Sequence, residues 1–187
     1  MQSLPDRWLR DVIDDIRHDV DGSRLCATRR SAGLPFYVTA LVTSEPKSSQ
    51  RATLKFVMAQ LMPLAVVTQL PVTSGDAVGH QHFAPQVHAL NVLRALVRDA
   101  RLAADVTPHV CDVMRAAISA YSSAYWGVRN AGTLLFSAMV TRVFGVKRGK
   151  DMTSRRNYVT ARAFFMRYPA LYDFLLAQIS AVQPDTG

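Results

Sequence analysis

Two adjacent arginines, Arg29 and Arg30, stand directly before the small and turn-forming residues 31–35. A guanidinium group presents its N–H donors in a planar fork, which suits the oxygen atoms of a phosphate or a carboxylate. Charged side chains are costly to place beside an apolar stretch unless they meet an anion. The segment therefore predicts either an anion-binding site or an internal ion pair, and the residues alone leave both alternatives open.

A second set of arginines lies on a predicted amphipathic helix over residues 85–103. Asn91, Arg94, Arg98 and Arg101 recur at the spacing i, i+3, i+7 and i+10, which forms one polar stripe along a helix. The opposite side of the helix is apolar. The three arginines of the stripe therefore place positive charge along one side of the helix.

A third concentration of positive charge lies at residues 142–167, where eight basic residues stand against the single acid Asp151. The first 21 residues hold six aspartates against three arginines, and the whole chain has a formal net charge of +8. A local excess of this kind attracts polyanions, of which nucleic acid is the commonest. A solvated loop without a partner is the alternative. The basic residues of this stretch that are candidates for contact with a polyanion are Arg142, Lys147, Arg148, Lys150, Arg155 and Arg156.

The motifs of common enzymes are not found in the sequence. The glycines and basic residues of 145–151 do not have phosphate-loop spacing, and no GxGxxG or GxSxG occurs. His80 and His82 form an HxH pair, but neither Cys26 nor Cys111 has metal-ligand spacing, so a surface loop is favoured. We therefore predict a protein that is not an enzyme and has no catalytic residue, cofactor or metal.

The composition is that of a globular chain. The 187 residues are 49% hydrophobic with a mean hydropathy of +0.06, and no apolar run approaches the roughly 20 residues of a membrane span. Two cysteines cannot form a disulfide framework. These features predict a cytoplasmic protein without membrane insertion.

Helical periodicity dominates and no segment alternates with the period of a strand, so an all-α fold is predicted. We divide the single helical-repeat region 1–187 into six parts. They are an acidic N-terminal helix (1–24), a first repeat that contains the arginine pair (25–70), a loop (71–84), further helical repeats (85–144), a basic loop (145–157) and C-terminal helices (158–187). The predicted helices are 5–20, 31–43, 48–67, 85–103, 107–121, 124–144, 159–166 and 170–182.

An internal similarity favours helical repeats. Residues 30–33 resemble residues 129–132, and each set precedes an apolar run. The separation fits about two repeats of ~40–47 residues, which favours a HEAT/armadillo-like α-solenoid fragment over an irregular bundle. In this interpretation Trp126 opens a repeat helix, a position that favours burial in the core.

Four blocks of the sequence resemble the THADA family (thyroid adenoma-associated protein and its fungal counterparts). The first is LCATRRSAGLPF at residues 25–36, which holds the family's RRSAGLP motif. The others are QVHALNVLRAL at 86–96, YWGVRNAGTLLFSAMVTRVFGVKRGKD at 125–151, and FFMRYPALYDFLL at 164–176. The resemblance covers about residues 25–179, whereas family members are far longer.

The resemblance implies a function and a set of residues for it. THADA-like proteins are non-catalytic partners of an FtsJ-like tRNA ribose 2′-O-methyltransferase and direct it to the first nucleotide of the anticodon loop. Carried over, the motif residues are Arg29, Arg30, Ser31, Ala32, Gly33, Leu34 and Pro35. The basic residues named above, with Arg94, Arg98 and Arg101, would then hold tRNA phosphates, and Tyr125, Trp126 or Tyr158 could stack on bases.

The alternative is an α-solenoid scaffold that binds proteins and has no RNA role. THADA-like proteins have also been linked to control of an endoplasmic-reticulum calcium pump, which belongs to this class. The two hypotheses differ in the residues on which they depend, since RNA binding needs the arginines and a scaffold needs apolar groove residues.

Overall fold

The structure, a computed structural model, describes residues 4–19, 25, 30–46, 50–66, 83–145 and 159–181. Within these ranges the regular structure is helical throughout, as the all-α prediction requires. The helices are α1 (Leu4–His18), α2 (Leu34–Ser44), α3 (Ala52–Ala65), α4 (Ala84–Arg98), α5 (Val110–Ser119), α6 (Trp126–Phe144), α7 (Ala161–Arg167) and α8 (Ala170–Ser180). Three short 3₁₀ turns lie at Ala100–Leu102, Thr107–His109 and Ala120–Ser122.

Helix α4 is the centre of the core. It packs against α1, α2, α3 and α6, while α5 packs against α6 and α8. Leu90, Leu93 and Leu96 have no exposed surface, and neighbouring polar residues of the same helix are buried too. A helix that is buried on nearly every side presents its few polar groups to other elements instead of to water. The functional geometry below depends on this position of α4.

Most predicted helices are present, with informative differences at their ends. Helix α2 begins at Leu34 instead of residue 31, because three residues before it adopt a left-handed backbone conformation. Pro35 lies in the first turn, where its lack of an N–H is harmless. Gly145, with a φ of 76°, ends α6 as the sequence predicts. Residues 71–82 of the predicted loop and residues 146–157 of the basic loop lie outside the described residues.

The internal similarity between residues 30–33 and 129–132 does not correspond to a structural repeat. The first set forms a turn before α2, whereas the second lies inside α6. Arg129 donates from Nη1 to the carbonyl oxygens of Ser123 and Ala124, at 2.8 Å each, and so holds the chain that precedes its own helix. The prediction that these two similar sets of residues occupy equivalent positions in a repeat is therefore wrong.

Gly132 lies where α6 closely approaches the 3₁₀ turn after α5. A Cβ built there would lie 2.5 Å from the Cβ of Ala120 and 3.0 Å from the carbonyl oxygen of Ala117. We expect Gly132→Ala to lower the free energy of unfolding by about 2 kcal/mol, since the two elements must separate. Gly33→Ala is the matched control, because its Cβ would meet nothing within 4 Å. Urea unfolding of both variants tests this, and equal midpoints would contradict it.

No helix in the described ranges is long and apolar enough to cross a membrane.

Candidate nucleic-acid interface

The RRSAGLP motif contains an unusual backbone turn. Arg30, Ser31 and Ala32 have φ values of 54°, 62° and 46°, so three successive residues other than glycine lie in the left-handed region. This conformation costs roughly 1–2 kcal/mol for each such residue and persists only where the surroundings impose it. Gly33 has a φ of −80° and does not supply the turn's left-handed geometry. We call residues 30–32 the left-handed turn.

A buried polar network holds this turn. The Ser31 Oγ lies 2.6 Å from His88 Nδ1 and 3.1 Å from Asn91 Nδ2, both on α4. On the other side of the imidazole, His88 Nε2 lies 2.7 Å from Asp19 Oδ2, just after α1. Asp19, Ser31, His88 and Asn91 are all buried, and we call them the polar network. It ties the motif to both α1 and α4.

The proton positions in the polar network follow from burial. Burial lowers the pKa of His88, and the hydrogen bond and charge of Asp19 oppose that effect without reversing it. A neutral ring donates from Nε2 to Asp19 and accepts at Nδ1 from the Ser31 hydroxyl, whose oxygen accepts from Asn91. An Asp–His–Ser order is typical of hydrolases, but a substrate cannot reach the Ser31 hydroxyl because this residue is only 1% exposed. We therefore interpret the network as structural.

The burial of His88 makes stability depend on pH. Its ordinary pKa is 6.5, and because the folded value is lower, the unfolded chain binds more protons below pH 6.5. Stability is therefore expected to fall on acidification from about pH 7.5 to about pH 5.5, by at most ~1.4 kcal/mol per pH unit from this group.

Urea midpoints across this pH range test that dependence. Burial also lowers the pKa of His109, against the opposing charge of Asp112, so the comparison is made in His109→Ala. A stability in that variant that does not change with pH would contradict the neutral state of His88.

Three arginines line a cavity of about 550 Å³ between the left-handed turn, the start of α2 and the end of α4. They are Arg30 of the motif and Arg94 and Arg98 of the predicted stripe. Burial and the nearby charges of Arg98 and Arg30 lower the pKa of Arg94, which shows how close the like charges lie. Among the described residues, no carboxylate lies within ion-pair distance of the three. We call this the arginine cavity, and its excess charge suits an anion.

Two exposed aromatic side chains flank the arginines. Phe36, 76% exposed, lines the arginine cavity, and Trp126, 70% exposed, lines an adjoining cavity of about 140 Å³. Arg30 and Asn91 line both cavities, so the two spaces share part of their walls. The prediction that Trp126 lies in the core is wrong. Exposed rings beside guanidinium groups are typical of sites that bind single-stranded RNA.

Arg101 lies past the end of α4, with its side chain directed to Asp99. Its Nη2 is 2.7 Å from Asp99 Oδ2, a contact that lowers the pKa of that carboxyl group. The Asp99 carboxylate at the edge of the arginine cavity is thus paired with Arg101. RNA contact by Arg101 stays a prediction, and the polar stripe is divided between a cavity and an ion pair.

The side chain of Arg142 contacts the C-terminal end of α4. Its Nε is 2.7 Å from the carbonyl oxygen of Val97, and its Nη2 donates to the same oxygen and to that of Asp99. These bonds satisfy carbonyl groups that a helix end leaves open. Its contact with RNA also stays a prediction. Outside the described residues lie Arg29, His80, His82, Lys147, Arg148, Lys150, Arg155, Arg156 and Tyr158.

Sequence reasoning missed Asp19 and His88. Asp19 was one of six N-terminal aspartates, and His88 stood near an HxH pair. The available signal was a histidine with apolar residues on both sides in a predicted helix, since a buried imidazole requires partners. No group of histidine, cysteine and acidic residues in the described part of the chain could hold a metal ion.

Residues 1–127 match the family model described as THADA/TRM732, DUF2428, which covers more than half of the chain. The chain belongs to this family. Residues 129–186 match a second model, described as the C-terminal TPR repeats of Trm732. The boundary falls at the start of α6, which packs on α4, so both matched regions contribute to one core. The repeat description of this model, together with the all-helical structure, confirms the predicted α-solenoid fragment.

The relatives have names that state a role. The mouse and human proteins named tRNA (32-2′-O)-methyltransferase regulator THADA are each 50% identical over 97% of this chain and 9% of their own length. The fission-yeast regulator trm732 is 30% identical over the whole chain and 12% of its own length. The chain thus spans about a tenth of these relatives, which are named as regulators of the methyltransferase and not as the enzyme itself. No solved structure matches this chain.

Proposed function

We propose that this chain is the RNA-contacting part of a tRNA methyltransferase regulator that acts in the cytoplasm. It holds the anticodon loop so that a separate FtsJ-like enzyme methylates the ribose of the loop's first nucleotide. The observation that carries this proposal is the convergence of Arg30, Arg94 and Arg98, without a carboxylate partner in the described residues, between two exposed aromatic rings. The names of the relatives support the same role.

An anticodon loop offers what this surface requires. Its phosphates are anionic, and its unpaired bases can turn outward to stack on aromatic side chains. A protein that presents RNA needs a rigid surface, which the polar network provides by fixing the motif to α1 and α4. The sequence shows no S-adenosylmethionine loop, so the methyl donor is assigned to the partner enzyme.

The scaffold alternative has its own supporting observation. On the C-terminal helices, Met166, Leu176 and Ile179 are apolar and more than half exposed. In the proposed function this face is available to proteins, including the methyltransferase, while the arginine cavity takes the RNA. A scaffold without an RNA role would use the apolar face alone.

The test combines binding and methylation. The purified chain is mixed with tRNA, the FtsJ-like enzyme and S-adenosylmethionine, and ribose methylation is mapped in the anticodon loop. We expect methylation that requires the chain and is lost in Arg30→Ala. Failure of the folded chain to bind tRNA in a filter assay would overturn the proposal. Enzyme binding that survives nuclease treatment, together with that failure, would favour the scaffold.

A further inference from the structure

We propose that the 140 Å³ cavity beside Trp126 is a pocket for a single unpaired nucleobase that carries an exocyclic amino group. The phosphate of the same nucleotide would lie in the arginine cavity. This inference rests on the proposed RNA binding and adds to it a ligand position and a base preference. Uracil, which has no exocyclic amine, is the base that this pocket disfavours.

The walls of the pocket suit a planar ring. Trp126 opens α6 with its side chain 70% exposed, and Phe83 adds a second aromatic ring to the lining. Phe83 is itself fixed by stacking on Tyr125, with ring centroids 5.2 Å apart and planes inclined by 19°. A base that enters between these residues gains stacking without moving the core, and stacking is tolerant of base identity.

Asn91 supplies the selectivity. Its Nδ2 donates to Ser31 Oγ, so the polar network fixes which side of the amide is the donor. The opposite atom, Oδ1, is buried, and no hydrogen-bond donor of the described residues reaches it. A buried acceptor without a partner is rare in folded proteins. Asn91 lines the pocket, and a base seated there must uncover this oxygen by a small shift of the surrounding side chains. The amino group of cytosine, adenine or guanine then donates to it, whereas the corresponding uracil oxygen cannot.

The position of Arg30 links the pocket to the arginine cavity. Arg30 and Asn91 line both spaces, so a ligand that fills both contacts this pair from the anion site and from the ring site. A nucleotide has this shape, since its phosphate and base are joined through a single sugar. Arg30 itself belongs to the left-handed turn, and its direction is therefore set by the backbone that the polar network holds.

The experiment uses fluorescein-labelled oligouridine RNA with one central position varied among uridine, cytidine and an abasic site. We expect the chain to bind the cytidine probe about five-fold more tightly than the all-uridine probe, as one additional hydrogen bond would give. Trp126→Ala should weaken the cytidine probe about ten-fold and abolish the preference, while Trp126→Phe should retain most of both. Trp8→Ala, at a 45% exposed tryptophan on α1, is the matched control.

A second readout follows the ring directly. In a Trp8→Phe background Trp126 is the single tryptophan of the chain, and its fluorescence should be quenched by the cytidine probe more than by the abasic probe. Arg94→Ala separates the two proposals. If it weakens all probes while base identity and Trp126→Ala have no effect, the base pocket is overturned and RNA binding stands. If the folded chain binds no probe, both are overturned.

Discussion

Replacing Arg94 and Arg98 together by alanine is expected to weaken tRNA binding at least about 100-fold at low salt. Each guanidinium group that contacts a phosphate contributes roughly 1.5–3 kcal/mol, and the two line the same cavity. The slope of log affinity against log salt should become shallower by about 2, because two fewer counterions are released. Filter binding at several salt concentrations measures both quantities. Arg30→Ala alone should also lower the affinity and make the salt slope shallower, in each case by the amount of one phosphate contact.

The matched control removes two positive charges elsewhere. Arg7 and Arg162 are exposed residues of α1 and α7, outside the lining of the arginine cavity. Arg7→Ala/Arg162→Ala should change affinity by less than about three-fold, since long-range charge is largely screened by salt. Equal losses in the two double variants would show that net charge alone attracts the RNA. That result would falsify the arginine cavity as a binding site.

Replacing His88 by alanine is expected to destabilise the chain by about 3–5 kcal/mol. The substitution leaves the Asp19 carboxylate and the Ser31 hydroxyl without their shared partner in a buried site, which is the costly case for buried polar groups. It also leaves a cavity beside α4. Urea unfolding at neutral pH measures the loss. His109→Ala, at a half-buried histidine outside the polar network, should cost less than about 1 kcal/mol.

A milder variant separates stability from positioning. Ser31→Ala removes one hydroxyl group and leaves the rest of the polar network in place, so the chain should remain folded at low temperature. Without that anchor the left-handed turn is expected to relax, because its backbone is unfavourable for residues with a side chain. tRNA affinity should then fall about ten-fold, to the level of Arg30→Ala. A folded Ser31→Ala chain with wild-type affinity would show that the network does not position the arginine.

The predicted helices illustrate how much local sequence can establish. Residues 85–103 were predicted as an amphipathic helix with a polar stripe, and Asn91, Arg94 and Arg98 do line one cavity. The periodicity of a helix requires this, because residues three and four apart share a face. The stripe ends at Arg98, since the helix ends there and Arg101 turns to Asp99.

The burial of particular side chains was less predictable. Trp126 was expected in the core and lies 70% exposed, while His88, near residues expected in a loop, has no exposed surface. A tryptophan has the same hydrophobicity in either place, and the packing of α6 on α4 determines which of its residues face inward. The similarity of residues 30–33 to 129–132 failed for a related reason. The same residue types form a turn when a buried network holds them and a helix when none does.

The all-α class, the helix periodicity and the family motif can be read from the sequence, because these depend on residue types and on spacing along the chain. Which arginines meet depends on how the helices pack. Arg30 and Arg94 are far apart in sequence, and their convergence depends on α2 packing against α4 and on a left-handed turn held by Asp19 and His88. Contacts between distant segments arise from the packing of whole elements, which no local pattern encodes.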